Sequence, residues 1–196
     1  MGDYYAGVPF PVVEFFCNEE NIKLFCETGT HRGASAVWAS ERFAEVFTIE
    51  LSEASYKKVV GEYGHIPNIT FLQGNSAHLL PAIAKRAERC LFWLDAHWSG
   101  GTTAGESLPC PLLTEIEAVL SGNEEHVILI DDARQTTVRP LAPAPHELPW
   151  MFDIFAALNS RGERYTVIWR DVYISTPLRD AQALYAFLCA QPRFVK

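Results

Sequence analysis

The stretch from Leu24 to Trp38, LFCETGTHRGASAVW, constrains this chain more than any other. A short apolar run (Leu24, Phe25, Cys26) stops at an acid, Glu27, and a glycine, Gly29. A second glycine, Gly33, follows, and then small residues of helical character. The pattern predicts a strand, a tight turn and a helix N-terminus, with Glu27 on the rim where the strand ends. Gly29 can adopt positive φ without steric cost, and Gly33 lets a ligand or a strand approach the backbone closely. The first turn of the helix leaves N–H groups unpaired, and these attract electron-rich groups. An α/β turn that binds nothing has the same outline, so the acids further along bear on the choice.

Those acids recur at strand ends. Val46–Ile49 predicts a second strand ending in Glu50, about 20 residues beyond the glycine turn, where a carboxylate can accept from both hydroxyls of a ribose. A solvated strand-end carboxylate is the plainer reading. Ser52 caps a helix with Tyr56, Val59, Val60 and Tyr63 at i, i+3, i+4, i+7. Ile69–Gln73 is a third strand. After it, Asn75 or Ser76 either contacts a ligand or caps the helix bearing Leu80, Ile83, Ala84 and Ala87. Cys90–Leu94 is an uninterrupted apolar run, read as a buried parallel strand that delivers Asp95. His126–Ile130 is a fifth strand and ends in Asp131-Asp132.

Asp95, Asp131 and Asp132 therefore finish two strands expected to be neighbours. Carboxylates this close repel one another unless compensated, and a hard cation such as Mg²⁺ resolves the conflict. Alternatively, Asp131 caps a turn and Asp132 is solvated. His97 titrates near neutrality, so it can take a proton from a hydroxyl, ligate a metal, or be a satisfied structural histidine. The Gly- and hydroxyl-rich segment Trp98–Glu106 suits a mobile lid or substrate loop. Arg134–Trp150, with four prolines, reads as an irregular surface loop.

The remaining helices are expected at Val12–Phe16, at Ala34–Ala44, on Leu112, Leu113, Ile116, Val119 and Leu120, on Met151, Phe152, Phe155 and Leu158, and on Ala181, Leu184, Tyr185 and Leu188. Tyr165–Trp169 and Val172–Ser175 flank Arg170-Asp171 and read as a strand pair. Alternating strands and helices imply a doubly wound α/β sheet.

At 196 residues the chain is expected to form one domain, 1–196, with residues 1–20 as an N-terminal helical extension. Hydrophobic content of 48% against 20% charged is that of a globular protein, and a net charge of −8 argues against a nucleic-acid footprint or an anionic membrane surface. The five cysteines form no C-x-x-C pair, which points to a reducing, cytoplasmic setting. Neither a signal peptide nor a membrane-spanning run is evident.

The spacing E-x-G-x-x-x-G-x-S (Glu27, Gly29, Gly33, Ser35) resembles motif I of the class I S-adenosylmethionine (SAM) methyltransferases. It is most similar to the small O-methyltransferases of the catechol, macrocin and cephalosporin-hydroxylase-like types. The resemblance implies a Rossmann-like, mostly parallel seven-stranded sheet with helices on both faces and the last strand antiparallel. It implies methyl transfer from SAM to the oxygen of a small-molecule acceptor. Glu27 would hold the methionine ammonium, directly or through water. Gly29, Thr30, Gly33 and Ser35 would form the cofactor turn, and Glu50 would hold the ribose. Asn75 and Ser76, where the family often has Asp, would lie by the adenine, with Asp95 beside the cofactor. Asp95, Asp131 and Asp132 would hold Mg²⁺. The family's lysine base falls on Trp98, leaving His97 to assist deprotonation. Three other readings compete: an NAD(P) oxidoreductase, which needs an absent G-x-G-x-x-G; a SAM-fold binding protein without catalysis; and a metal hydrolase using Asp95, His97 and Asp131. Acceptor identity and oligomeric state are not legible.

Overall fold

The computed structural model describes residues 7–18, 20–86, 88–96, 109–139 and 147–192. In chain order the elements are α1 (Phe10–Asn18), β1 (Leu24–Thr28), α2 (Ala34–Ser40), β2 (Glu45–Glu50), α3 (Glu53–Tyr63), β3 (Ile69–Gln73), α4 (Ser76–Ala84) and β4 (Cys90–Leu94). There follow α5 (Leu112–Gly122), β5 (Val127–Ile130), a 3₁₀ turn (Ala133–Thr136), α6 (Met151–Leu158), β6 (Arg164–Trp169), β7 (Val172–Pro177), a second 3₁₀ turn (Leu178–Asp180) and α7 (Ala181–Ala190).

One seven-stranded sheet has the order β3-β2-β1-β4-β5-β7-β6. β7 pairs antiparallel with both β5 and β6 and lies between them, while β1 to β5 pair in parallel. The expected doubly wound sheet with its last strand antiparallel is what forms. Strand order reverses between β1 and β4, and ligands of open α/β sheets bind in the crevice beyond the carboxyl ends of strands at such a point.

The period-2 alternation of the strands sorts their side chains into two cores. Phe25, Leu91, Trp93, Leu129 and Ile174 face one side, against Val12, Val13 and Phe16 of α1, Ala36 and Ala39 of α2, and Leu184 of α7. Cys26, Phe92, Leu94, Ile128 and Tyr173 face the other, against α4, α5 and α6. Every residue of β1 and β4 is buried, as strands covered on both faces must be.

Some expected faces are narrower than the sequence pattern. The α2 helix stops at Ser40 rather than Ala44, because the chain must drop Phe43 into the core against Phe25 and start β2 beside Lys23. Leu113, Phe152 and Tyr185 are exposed, each one position off the buried stripe of its helix. The Arg134–Trp150 segment is not wholly irregular, since it opens in the first 3₁₀ turn.

The end of the sheet opposite the crevice is held by a buried cation. Arg164 donates to the carbonyls of His126 (2.6 Å), Ser175 (3.1 Å) and Glu124 (2.5 Å), and to Ser175 Oγ (3.0 Å). Burial brings its guanidinium down to about 10. Arg164→Ala would strip donors from three carbonyls at once. The expected loss is about 2–4 kcal/mol in urea denaturation; a loss within about 0.5 kcal/mol, the usual size of a surface change, would show that water replaces those donors.

Candidate functional site

Among the described residues, the acids and glycines singled out by the sequence gather at or near the carboxyl ends of β1 to β5, where backbone hydrogen bonds tie successive loops together. Gly29 N–H donates to Ile49 O (2.9 Å), Gly74 N–H to Glu50 O (2.9 Å), and Asp131 N–H to Leu94 O (3.3 Å). Asp95 N–H reaches both Thr28 O and Thr28 Oγ1 at 3.2 Å. The ends of five strands thus form one rim.

Gly29 and Gly33 are glycines for reasons internal to the protein. Gly29 has φ +87°, and a Cβ there would lie 2.6 Å from the Asp95 carbonyl oxygen. Gly33 has φ +76°, and a Cβ there would lie 2.9 Å from Val59 Cγ1 of α3. The close approach anticipated for a ligand or a strand is made, at Gly33, by a helix.

Glu27 is not at the strand end. β1 continues through Thr28, and Glu27 is fully buried. One carboxylate oxygen accepts from Ser35 Oγ and the other from Thr48 Oγ1 (2.7 Å). Thr48 stands opposite Glu27 in the parallel register and shares a further hydrogen bond (2.5 Å) with Thr30, itself buried. Desolvation pushes the Glu27 carboxyl from 4.5 to about 7; the two hydroxyl donors oppose that rise, and the nearby Glu50 charge adds to it. Ser35 and Thr30 therefore brace the turn from beneath. Thr48 went unnoticed in the sequence, although a hydroxyl on the second strand in register with a buried acid is the signal to seek.

Glu50 holds the rim itself. Its Oε2 accepts from His31 N–H (2.9 Å) and its Oε1 from Ser52 N–H (2.8 Å). Each oxygen keeps a second lone pair, so the carboxylate is pre-oriented and can still accept. His31 sits at φ +48° to bring its N–H there. Ser52 also caps α3, accepting from Ser55 N–H (3.3 Å). Asn75 is the N-cap of α4, its Oδ1 accepting from Ala77 N–H (2.9 Å). Ser76 starts that helix and is buried. This donor set fits an adenosine-type ligand at Glu50. It offers Glu27 as a support beneath the turn, its carboxyl fully buried.

At the ends of β4 and β5 the acids are grouped differently from expectation. Parallel pairing makes the two strands neighbours. The carboxylates that come within 4.8 Å of one another are those of Asp131, Asp132 and Asp171, and Asp95 is not in that group. Asp171 lies in the β6–β7 turn; β7 runs antiparallel beside β5, so the turn returns to the same rim. A cation is already present. Arg134 pairs with Asp171 through Nη1 and with Asp132 through Nη2 (3.1 Å), and Arg134 N–H donates to Asp171 Oδ1 (2.8 Å). The three carboxylates suit a hard divalent ion in kind, but this arrangement commits both oxygens of Asp171 to Arg134. Of the three acids expected to share a metal, Asp131 and Asp132 lie in this group and Asp95 does not. His97 and Trp98–Glu106 lie outside the described residues.

Cys26 and Cys90 are buried; burial pushes Cys90 up to about 12 and Cys26 well above its ordinary value, so neither is poised as a thiolate. No helix among the described residues is long and apolar enough to cross a membrane.

This sheet order is that of the class I SAM-dependent methyltransferase fold. No protein-family model matches the chain, and no curated protein matches it in sequence. Solved structures do share its fold. A candidate caffeoyl-CoA O-methyltransferase from Staphylococcus aureus aligns with a TM-score of 0.60 and 15% identity over 89% of this chain and 85% of its own. An O-methyltransferase from Bacillus cereus in complex with S-adenosylhomocysteine (SAH) gives 0.59 and 14% identity, over 89% and 84%. The N-methyltransferase NodS from Bradyrhizobium japonicum gives 0.56 and 11% identity, over 86% and 93%.

Two outcomes follow from this geometry. In the folded protein Glu27 is protonated up to about pH 7, whereas the unfolded chain releases that proton near 4.5. Its neutral form favours the fold fully below 4.5, and that advantage is lost as pH rises to about 7. Glu27→Gln, which stays neutral, should therefore gain on wild type by an amount on the order of 3 kcal/mol between pH 4.5 and 8. Urea denaturation at several pH values reads this; a pH-independent difference would show an ordinary carboxyl. Gly29→Ala meets both positive φ and the Asp95 carbonyl, so it should cost more than about 1 kcal/mol in the same assay.

Proposed function

We propose that the protein is a SAM-dependent methyltransferase acting on an oxygen of a small-molecule acceptor. The observation that carries the reading is Glu50, held on the crevice rim by the His31 and Ser52 N–H groups with acceptor capacity to spare. When bound, SAM supplies an electrophilic methyl group; the acceptor oxygen gains it, its proton leaves, and SAH remains. Glu50 accepts from the ribose hydroxyls. The Gly29 turn, braced from below by Glu27, Ser35 and Thr48, presents backbone to the cofactor. Asn75 uses its remaining lone pair toward the adenine amino group while capping α4, with Ser76 behind it.

His97, two residues beyond Asp95, takes the acceptor's proton. The protein's main contribution is alignment, since displacement needs nucleophile, methyl carbon and sulfur in line. The likeness to NodS supports methyl transfer in general; choosing oxygen over nitrogen rests on the resemblance of the Glu27–Ser35 motif to O-methyltransferases. The net charge of −8 supports a small acceptor over nucleic acid.

Calorimetric titration with SAH tests this. Saturable binding that weakens at least about tenfold in Glu50→Ala, a loss of about 1.4 kcal/mol, is the expected result. Folded wild-type protein that binds neither SAH nor SAM would sink the reading.

A further inference from the structure

The acid group at the end of β5 has a feature the sequence pattern did not suggest. Its positive partner comes from the same turn. Asp132 adopts φ +58° and starts the 3₁₀ turn, which directs Arg134 back toward the acids two residues earlier. The β6–β7 hairpin then supplies Asp171. Ala133 N–H donates to Asp171 O (2.9 Å), so the two segments are also joined through backbone. Asp171 accepts at Oδ1 from Arg134 N–H and at Oδ2 from its guanidinium. The side chains of Asp132 and Asp171 are 13% and 8% exposed, so the pair is shielded from solvent on its acidic side.

We propose that Arg134, clamped between Asp132 and Asp171, occupies the place a divalent cation would take beside these acids, so that methyl transfer proceeds without a resident metal. Mg²⁺ demands near-octahedral oxygen ligands at short range, and here both Asp171 oxygens and one Asp132 oxygen already face Arg134. A second cation within a few ångströms of Arg134 would be repelled by it. A guanidinium presents several donors in a fixed fork, so Arg134 can hold both acids at once. On this view Arg134 is a positioning residue. It orients the rim acids and any bound oxygen by hydrogen bonds rather than by Lewis acidity. The catalytic half of the statement rests on the methyltransferase reading; the electrostatic half does not.

The test is an EPR titration of the full chain with Mn²⁺, with SAH calorimetry run on the same samples in chelator. Wild type is expected to show no saturable Mn²⁺ site. Arg134→Gln and Arg134→Ala should each gain one saturable Mn²⁺ site, while Arg134→Lys, which keeps the charge, shows none, as in wild type. Addition of Asp171→Asn to Arg134→Gln should remove the gain. One saturable Mn²⁺ per wild-type chain, weakened by Asp132→Asn or Asp171→Asn, would overturn the proposal without any Arg134 variant. Folded neutral variants with no gain would overturn it too. If SAH fails to bind any sample, the methyltransferase reading falls and the Mn²⁺ result still stands; if SAH binds and wild type saturates with Mn²⁺, only the present inference falls.

Discussion

The structure depends on the parallel ladder on either side of β1. Cys26 stands opposite Phe47 on one flank and Phe92 on the other, and Glu27 opposite Thr48 and Trp93. A one-residue slip in a parallel sheet turns every side chain to the other face. Here it would separate the Glu27 carboxyl from the Thr48 hydroxyl and swap the residues offered to the two cores. Because both faces are filled, by α1, α2 and α7 on one side and α4, α5 and α6 on the other, the register has no soft alternative.

That register places an acid where solvent does not reach, and the rest of the crevice follows. Burial favours the neutral form of Glu27, and two hydroxyl donors work against it by favouring the charged form. Glu50, one strand away, remains on the rim held by two backbone amides. Two carboxyls of one sheet end thus differ in partners, hydroxyls below the turn and backbone amides at the rim. Beyond β5, Asp132 and Asp171 are balanced instead by Arg134.

Much of this was legible along the chain. The runs at Leu24, Val46, Cys90 and Val127 are short, apolar and bounded by acids or glycine, a pattern that buried parallel strands require. Ser52 read as a cap, and Asn75 or Ser76 as a cap or a ligand contact, because a short oxygen-bearing side chain before a periodic helix suits both; the structure makes Asn75 the cap. Exposure of Leu113, Phe152 and Tyr185 was not legible, since an apolar residue at the margin of a helical stripe can fall on either side once neighbours are packed. Nor was Asp171 legible as a rim residue. Its contact with the acids of β5 depends on β7 entering the sheet between β5 and β6, and no local spacing encodes that insertion.

By itself, then, the sequence determined the order and kind of the elements, which strands are buried, and that acids finish β2, β4 and β5. These depend on periodicity and on turn and cap chemistry, which act over a few residues. Only the tertiary structure decided that Gly33 is small to admit α3, that Glu27 is a buried brace below the turn with its carboxyl pushed up to about 7, and that Asp171 rather than Asp95 completes the acid group. Each of these is a contact between segments distant in the chain, set by strand order and by the desolvation that packing imposes.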